Sequence, residues 1–395
     1  IRPYIFIDPI KRGYATISTD MGTAPDPDSG IGNIEVWKDF GYRSTHLMTV
    51  AGKQIVETYY GKPPVYSYFC GRSTGGQQAL QEAQRYPDDY DGILSALPGH
   101  CRTPLHIYFL WNSQIFQECP FSEEQEDNII AAANEYMAGR EPPQIAGKMI
   151  SDPRCTPADI EAVIDLAVQK DPTLSDKHIA ALRKLFDGPR HPRTHERIFN
   201  GIPLGCSIDK ARGNLYTLRW VFGPNKDFMD IDFNKDIDTY TSALGSYLNA
   251  EDPDLSAFKK RGGKLIMYSG SADSRVPCHA TLDYYDRVIE HLASYEKVRE
   301  FFNYYIIPGM SHGASPGINN LPDFLDMIVA WRENGIAPDA IMGRRIVDGE
   351  VKTEIPIYPY PMKTTWNRDS GFKAMEGAFG GVERIASRFS PAPAP

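Results

Sequence analysis

The run Gly71-Arg72-Ser73-Thr74-Gly75-Gly76 sets a serine at the centre of a G-x-S-x-G pattern, with a strand-like segment before it and a helix-like segment after it. Upstream, Val65-Tyr66-Ser67-Tyr68-Phe69 is β-branched and aromatic, which suits a pleated, half-buried surface. Downstream, Gln77 to Gln84 consists largely of good helix formers and stops at Tyr86-Pro87. A strand that turns straight into a helix around a serine reads as a nucleophile elbow. Glycines on either side of Ser73 permit a strained turn, and the helix N-terminus behind it favours negative charge. The bare pattern also occurs in glycine-rich turns with no chemistry, so the flanking strand and helix carry the reading.

A serine hydroxyl is a poor nucleophile until a positioned base takes its proton, so an elbow calls for an acid and then a histidine further along the chain. Lys264-Leu265-Ile266-Met267-Tyr268-Ser269-Gly270 reads as a buried strand opening into a turn that carries Asp273. Phe301-Phe302-Asn303-Tyr304-Tyr305-Ile306-Ile307 reads as another, ending in the glycine-flanked turn that presents His312. The chain order Ser73, Asp273, His312 is that of an α/β-hydrolase. Rivals fit less well. His46, His106 and His178 fall in helical or lid-like stretches; His100 and His279 do not follow a strand placed after the acid. Asp283 and Asp286 lie in a helical run and read as solvated helix-face charges. The backbone N–H of Thr74, directly after the nucleophile, is the expected oxyanion donor.

The fold class expected is α/β, with a mostly parallel central sheet and a large inserted lid. Candidate elements are a strand at Tyr14–Thr19, a helix at Tyr42–Tyr59, the Val65 strand, the Thr74 helix and the Gly92 strand. Helical, loop-rich sequence follows, and the sheet resumes at Lys264, to end with a helix over Pro322–Trp331. The division is core at 1–100, lid at 101–238, core again at 239–388, and a proline-rich disordered tail at 389–395. Lid aromatics Tyr108, Phe109, Trp111, Phe116, Tyr216, Trp220 and Phe222 could wall a pocket for a flat ring or form the lid's own core. No substrate-binding residue is assigned.

At 395 residues, 42% hydrophobic and 24% charged, the chain can bury a large core. Its net charge of -9 argues against a nucleic-acid partner, and no apolar run is long enough for a membrane span. The 6 cysteines show neither CxxC pairs nor zinc-ligand spacing, so no metal and no cofactor is expected, and their pairing is left open.

Several runs together resemble the tannase and feruloyl esterase family: Tyr68 to Gly76, Gln84-Arg85-Tyr86-Pro87-Asp88-Asp89-Tyr90-Asp91-Gly92-Ile93, Arg261 to Ile266 and Gly309-Met310-Ser311-His312. Arg12 to Asp20 and Asp252 to Phe258 are similar too. The resemblance runs from near the first residue to beyond His312. It implies an ester hydrolase for aromatic carboxylic acids, feruloyl-type first and galloyl as the alternative, with secretion or a periplasmic location. Its substrate would be a small or plant-polysaccharide-linked aromatic ester; the oligomeric state is left open. A catalytically silent binding protein of the same fold is the reading from outside enzymology.

Two departures stand out. Relatives place cysteines immediately before the nucleophile and immediately after the catalytic histidine and join them; here those positions are Arg72 and Gly313, so the expectation is an array held by packing alone. Relatives also carry an acidic calcium loop in the lid. The stretch from Arg140 to Cys155 supplies few carboxylates, so the metal is expected to be lost. The family's glycine-rich loop ahead of the Arg12-Gly13-Tyr14 run, which supplies an oxyanion amide, has no counterpart in the short Ile1–Ile7 segment, so the chain is expected to be processed or truncated.

Overall fold

The computed structural model describes residues 4–23, 26–313 and 315–386; the expected tail at 389–395 lies outside them. Helices α1 (Tyr4–Lys11), α2 (Ile34–Lys38) and α3 (Ser44–Tyr60) precede strand β1 (Tyr68–Arg72), and α4 (Thr74–Arg85) links it to β2 (Gly92–Ala96). Between β2 and β3 (Lys264–Gly270) come α5 (Arg102–Glu118), α6 (Glu123–Met137), α7 (Pro157–Lys170), α8 (Asp176–Asp187), α9 (Tyr216–Phe222), α10 (Asp236–Leu248) and α11 (Ser256–Lys260). Then α12 (Cys278–Leu292) and α13 (Tyr295–Arg299) lead to β4 (Phe302–Ile307), followed by α14 (Phe324–Asn334).

The sheet order is β1-β2-β3-β4, all parallel, so the carboxyl ends of all four strands share one edge. Alternation along the strands separates two apolar layers. Ile93, Leu265, Met267, Phe302 and Tyr304 pack with Ala79, Leu80 and Ala83 of α4 and Leu282, Tyr285 and Val288 of α12. Ile266, Tyr305 and Ile307 pack with Ile328 and Trp331 of α14 on the other face. Each such aliphatic side chain contributes about 2 kcal/mol when fully buried. Most of the helical region between β2 and β3 shares a third core, in which Tyr108, Phe109 and Phe116 of α5 are buried with residues of α6, α7 and α8.

Three expectations need correction. The run Tyr14–Thr19 forms no strand; Met21 N donates to Thr19 Oγ1 and Gly22 N to Asp20 Oδ1, and a Cβ on Gly52 of α3 would meet Ile17 Cδ1 at 2.9 Å. Ile17 thus rests beside α3 and remains half exposed, so the alternation of this run reflects no strand pairing. Asp283 and Asp286 are buried, not solvated: Arg384 donates to Asp283, and Tyr360 Oη and Gly380 N donate to Asp286. Finally, α14 does not close the chain, because two antiparallel hairpins follow, β5 (Ile341–Val347) with β6 (Glu350–Ile357) and β7 (Lys363–Asn367) with β8 (Gly371–Met375).

Candidate active site

Ser73 stands between the last residue of β1 and the first of α4, at φ 60° and ψ -113°. A side-chain-bearing residue held in such a conformation costs on the order of 1–3 kcal/mol. Main-chain bonds hold it there: Ser73 N donates to Ala96 O at 2.9 Å, and Gln77 N donates to Ser73 O at 3.1 Å. The glycines divide the work differently from the sequence expectation. A Cβ on Gly71 would meet Gly75 O at 2.0 Å, and one on Gly76 would meet Ala96 O at 2.7 Å, whereas one on Gly75 would enter open space. Ser73 itself takes the strained conformation, and Gly71 and Gly76 permit the close approach of strand and helix.

The other two side chains come from the turns that follow β3 and β4. Asp273 follows β3, is fully buried, and accepts from Val276 N at 2.8 Å and Arg275 N at 3.0 Å through Oδ1. Its Oδ2 lies 2.7 Å from His312 Nδ1, and His312 Nε2 lies 2.9 Å from Ser73 Oγ. With Nδ1 protonated towards Asp273, Nε2 is free to accept the serine proton. The two turns are bonded to each other beyond the strands, Ser271 N to Ile307 O and Ala272 N to Met310 O, both at 3.0 Å.

Packing is not all that joins the serine and histidine turns, contrary to expectation. The exposed Arg72 guanidinium donates to the main-chain carbonyl of His312. Sequence reading passed over Arg72 as a lost cysteine; its own capacity as a five-proton donor beside the nucleophile was the available signal. Arg102, at the start of α5, was missed as well. It donates to Thr74 Oγ1 at 2.9 Å and, through Nε, to Gln77 Oε1 at 2.8 Å, while Gln77 Nε2 reaches Leu248 O at 2.6 Å. The N-terminus of α4 is thereby fastened to α5 and α10. Thr74 N–H occupies the first turn of α4, where N–H groups have no intrahelical acceptor, so it can meet an anion.

The rival histidines lie elsewhere in the network. Burial pushes His100 down to about 3 and His279 down to about 4; they contact the carbonyls of Pro98 and Pro153. His106 is buried against Thr217 Oγ1, and His178 caps its own helix at Ser175. His46 pairs with Asp89.

A family model described as tannase and feruloyl esterase matches residues 4–229 and 224–379. The chain belongs to that family. This carboxylic ester hydrolase is 29% identical to feruloyl esterase B of Aspergillus niger over 369 residues, which is 85% of this chain and 70% of that protein. It is 27% identical over 373 residues to a probable feruloyl esterase of Arthroderma benhamiae, covering 84% of this chain and 68% of that protein. Among solved structures, an esterase from Aspergillus oryzae superposes with a TM-score of 0.73 at 22% identity, over 88% of this chain and 76% of that one. The tannin acyl hydrolase of Aspergillus niger gives 0.73 at 18% identity, over 91% and 75%. At these identities the structural likeness is one of fold.

Within the esterase, Asp152, in the stretch expected to correspond to the relatives' calcium loop, is paired with the protein's own cations. Arg154 donates to both oxygens of Asp152 at 2.8 Å, and Lys363 pairs with the same carboxylate. Arg154 also donates to Ala378 O at 2.6 Å and Gly380 O at 3.0 Å, which ties this segment to the stretch after β8. Burial opposes ionisation of Asp152, but the two cations outweigh it and hold its carboxyl down at about 2. All six cysteines are free thiols. Of the aromatics read as possible pocket walls, Tyr108, Phe109, Phe116 and Trp220 are core residues, and Tyr108 Oη donates to Ser274 O beside the acid.

Proposed function

We propose that this ester hydrolase cleaves esters of hydroxycinnamic, feruloyl-type acids through an acyl-enzyme on Ser73. Ser73 Oγ attacks the ester carbonyl as His312 Nε2 takes its proton; Asp273, fixed by two main-chain N–H groups, orients the ring and stabilises the imidazolium. Thr74 N–H, at the positive end of α4, donates to the developing oxyanion. The same His312 proton then goes to the leaving alcohol, and water repeats the sequence to release the acid. The observation that carries this reading is the unbroken chain Ser73 Oγ, His312, Asp273 at 2.9 and 2.7 Å on a strained strand-to-helix turn. It also favours an enzyme over a silent binder, since strain and a buried carboxylate are hard to retain without use.

The substrate class is supported by the names of the sequence relatives, which are feruloyl esterases in the Arthroderma and Aspergillus niger proteins. The helical segment 101–238 serves in this reading as a lid over the strand ends, and the protein acts outside the cell or in the periplasm. No helix among the described residues is long and apolar enough to cross a membrane, which is compatible with export.

A fluorophosphonate probe tests the mechanism: the expected product carries one label, on Ser73, and loses it in Ser73→Ala. A folded protein that resists labelling overturns the serine mechanism. Turnover of methyl ferulate above methyl gallate is expected; the reverse order moves the assignment to galloyl esters.

A further inference from the structure

Helix α4 is buried from Gly76 to Ala83, polar side chains included, so each of those polar groups needs a partner. Gln77 is held by Arg102 and Leu248 O, and Gln81 by Asn249 O at 3.2 Å. Glu82 is different. Its side chain is fully buried, and no N–H or O–H donor reaches either carboxylate oxygen. Burial together with the adjacent Asp89 carboxylate pushes its carboxyl up to about 10, so a proton shared with Asp89 is what a metal ion would have to displace. Those oxygens face two other metal-ligating side chains: ligand atoms of Glu82, Asp89 and His46 all lie within 4.8 Å of one another.

Two carboxylates this close repel when ionised, so a cation or a shared proton has to stand between them. The Lys53 ammonium donates to the main-chain carbonyl of Asp89; it stands near enough to favour the Glu82 carboxylate in part but makes no bond to its oxygens. The third group is already oriented. The His46 ring stacks on Tyr86 with centroids 3.9 Å apart and planes 7° from parallel, and its Nδ1 is 2.6 Å from Asp89 Oδ2. One imidazole nitrogen with two carboxylates is a donor set for Zn²⁺-type ions, whereas Ca²⁺ and Mg²⁺ take oxygen alone. Ligands at about 2.0–2.2 Å from a tetrahedral ion stand roughly 3.3–3.6 Å apart, so side-chain rotations would have to open the 2.6 Å contact between His46 and Asp89, replacing that hydrogen bond with metal bonds, and draw the wider pairs of the cluster together.

We propose that His46, Glu82 and Asp89 form a structural site for a divalent transition-metal ion of the Zn²⁺ type, with water completing the coordination. The ion joins α3 to the far end of the nucleophile-bearing helix and to the loop after it. Glu82 is nine residues past Ser73, about 14 Å along the helix, so the ion acts on the stability of that helix and not on the reacting atoms.

The test uses the full chain, stripped of metal by chelator and titrated with Zn²⁺ in a calorimeter, with a thermal melt in parallel. The expected result is one equivalent that is lost in both Glu82→Gln and His46→Gln, and a melting temperature raised by about 3 °C at zinc a hundredfold above Kd. His46 is half-buried at the surface, so His46→Gln keeps the test readable where Glu82→Gln weakens the core. Hydrolysis by metal-free His46→Gln should match that of the metal-free parent. Absence of a zinc-dependent rise in the parent, or an equal rise in His46→Gln, overturns the proposal and leaves a shared proton as the bond between the carboxylates.

Discussion

The serine turn and the paired acid and histidine turns reach the same point in space by different physics. Ser73 is positioned by one continuous piece of chain, strand to strained residue to helix, with Gly71 and Gly76 removing the side chains that would block the approach. Asp273 and His312 are positioned by each other, through Ser271 N and Ala272 N reaching across to the β4 turn and through the carboxylate itself. Local geometry sets Ser73; non-local bonding sets Asp273 and His312. The first should therefore fail abruptly when its backbone is altered, and the second by degrees.

The sharpest break is chemical. Ser73→Ala should lower ester hydrolysis by ~10³-fold or more while leaving the melting temperature nearly unchanged or raised, because only the hydroxyl is removed. Asp273→Asn should cost a similar factor, since an amide cannot hold the ring in the required tautomer. Near-parental turnover in either, assayed on methyl ferulate, contradicts the proposed roles.

Backbone changes come next. Gly71→Ala should abolish folded, active protein, because its Cβ would lie 2.0 Å from Gly75 O and 2.3 Å from Gly75 C, backbone atoms that cannot swing aside as a side chain can. Gly75→Ala meets open space in the first turn of α4, so it should keep activity and gain stability by less than the about 1 kcal/mol that the same change brings in a helix interior. Equal losses in the two variants, measured by melting and turnover, would show that the whole glycine pattern is needed for conformational freedom.

This contrast explains what the sequence disclosed. Strand β2 begins at the residue expected, β1 ends three residues later than the run read for it, and α4 starts at the expected Thr74, because these elements announce themselves through local alternation and helix formers. Ser73 could be singled out for the same reason, and Asp273 and His312 by chain order after two obvious strands. The fastenings were not legible. Arg72 to His312 spans 240 residues, Arg102 to Thr74 spans 28, and no local pattern encodes either. The buried pairing of Asp283 and Asp286 was hidden likewise, because a helix-face carboxylate looks solvated until its partner from beyond α14 is known. The β5–β6 hairpin was different. Asp348-Gly349, both at positive φ, is a strong two-residue hairpin signal between β-branched runs, and it was available in the sequence.

A smaller effect should separate the two turns from the bond between them. Arg72→Met removes the donor to His312 O while leaving Ser73, His312 and Asp273 intact. One charge-assisted bond at an exposed site corresponds to about 1 kcal/mol, so kcat should fall about 3- to 10-fold with KM little changed. Arg72→Lys should restore part of the loss. Dithiothreitol should leave the parent's activity unaltered, because all six cysteines are thiols. A change in KM alone in Arg72→Met would instead place this residue against the substrate.

The smallest effect on activity concerns the segment behind the acid turn, where Ser271 Oγ donates to Ile150 O at 2.6 Å and His279 Nε2 contacts Pro153 O at 3.2 Å. Added calcium should change neither activity nor melting temperature, because the Asp152 carboxylate is already held by Arg154 and Lys363. The sign of the accompanying pH effect follows from the direction of the shift. Asp152 titrates at about 2 in the folded chain, below its ordinary 3.8, so its pairing stabilises the protein above pH 4 and that contribution disappears as pH falls towards 2. The difference corresponds to about 2 kcal/mol. Asp152→Asn should therefore lower the melting temperature at neutral pH, and the parent and variant curves should converge in acid. A calcium-dependent rise in melting temperature that Asp152→Asn removes would show that the ion displaces Arg154 and Lys363, and that the acid turn rests on a metal after all.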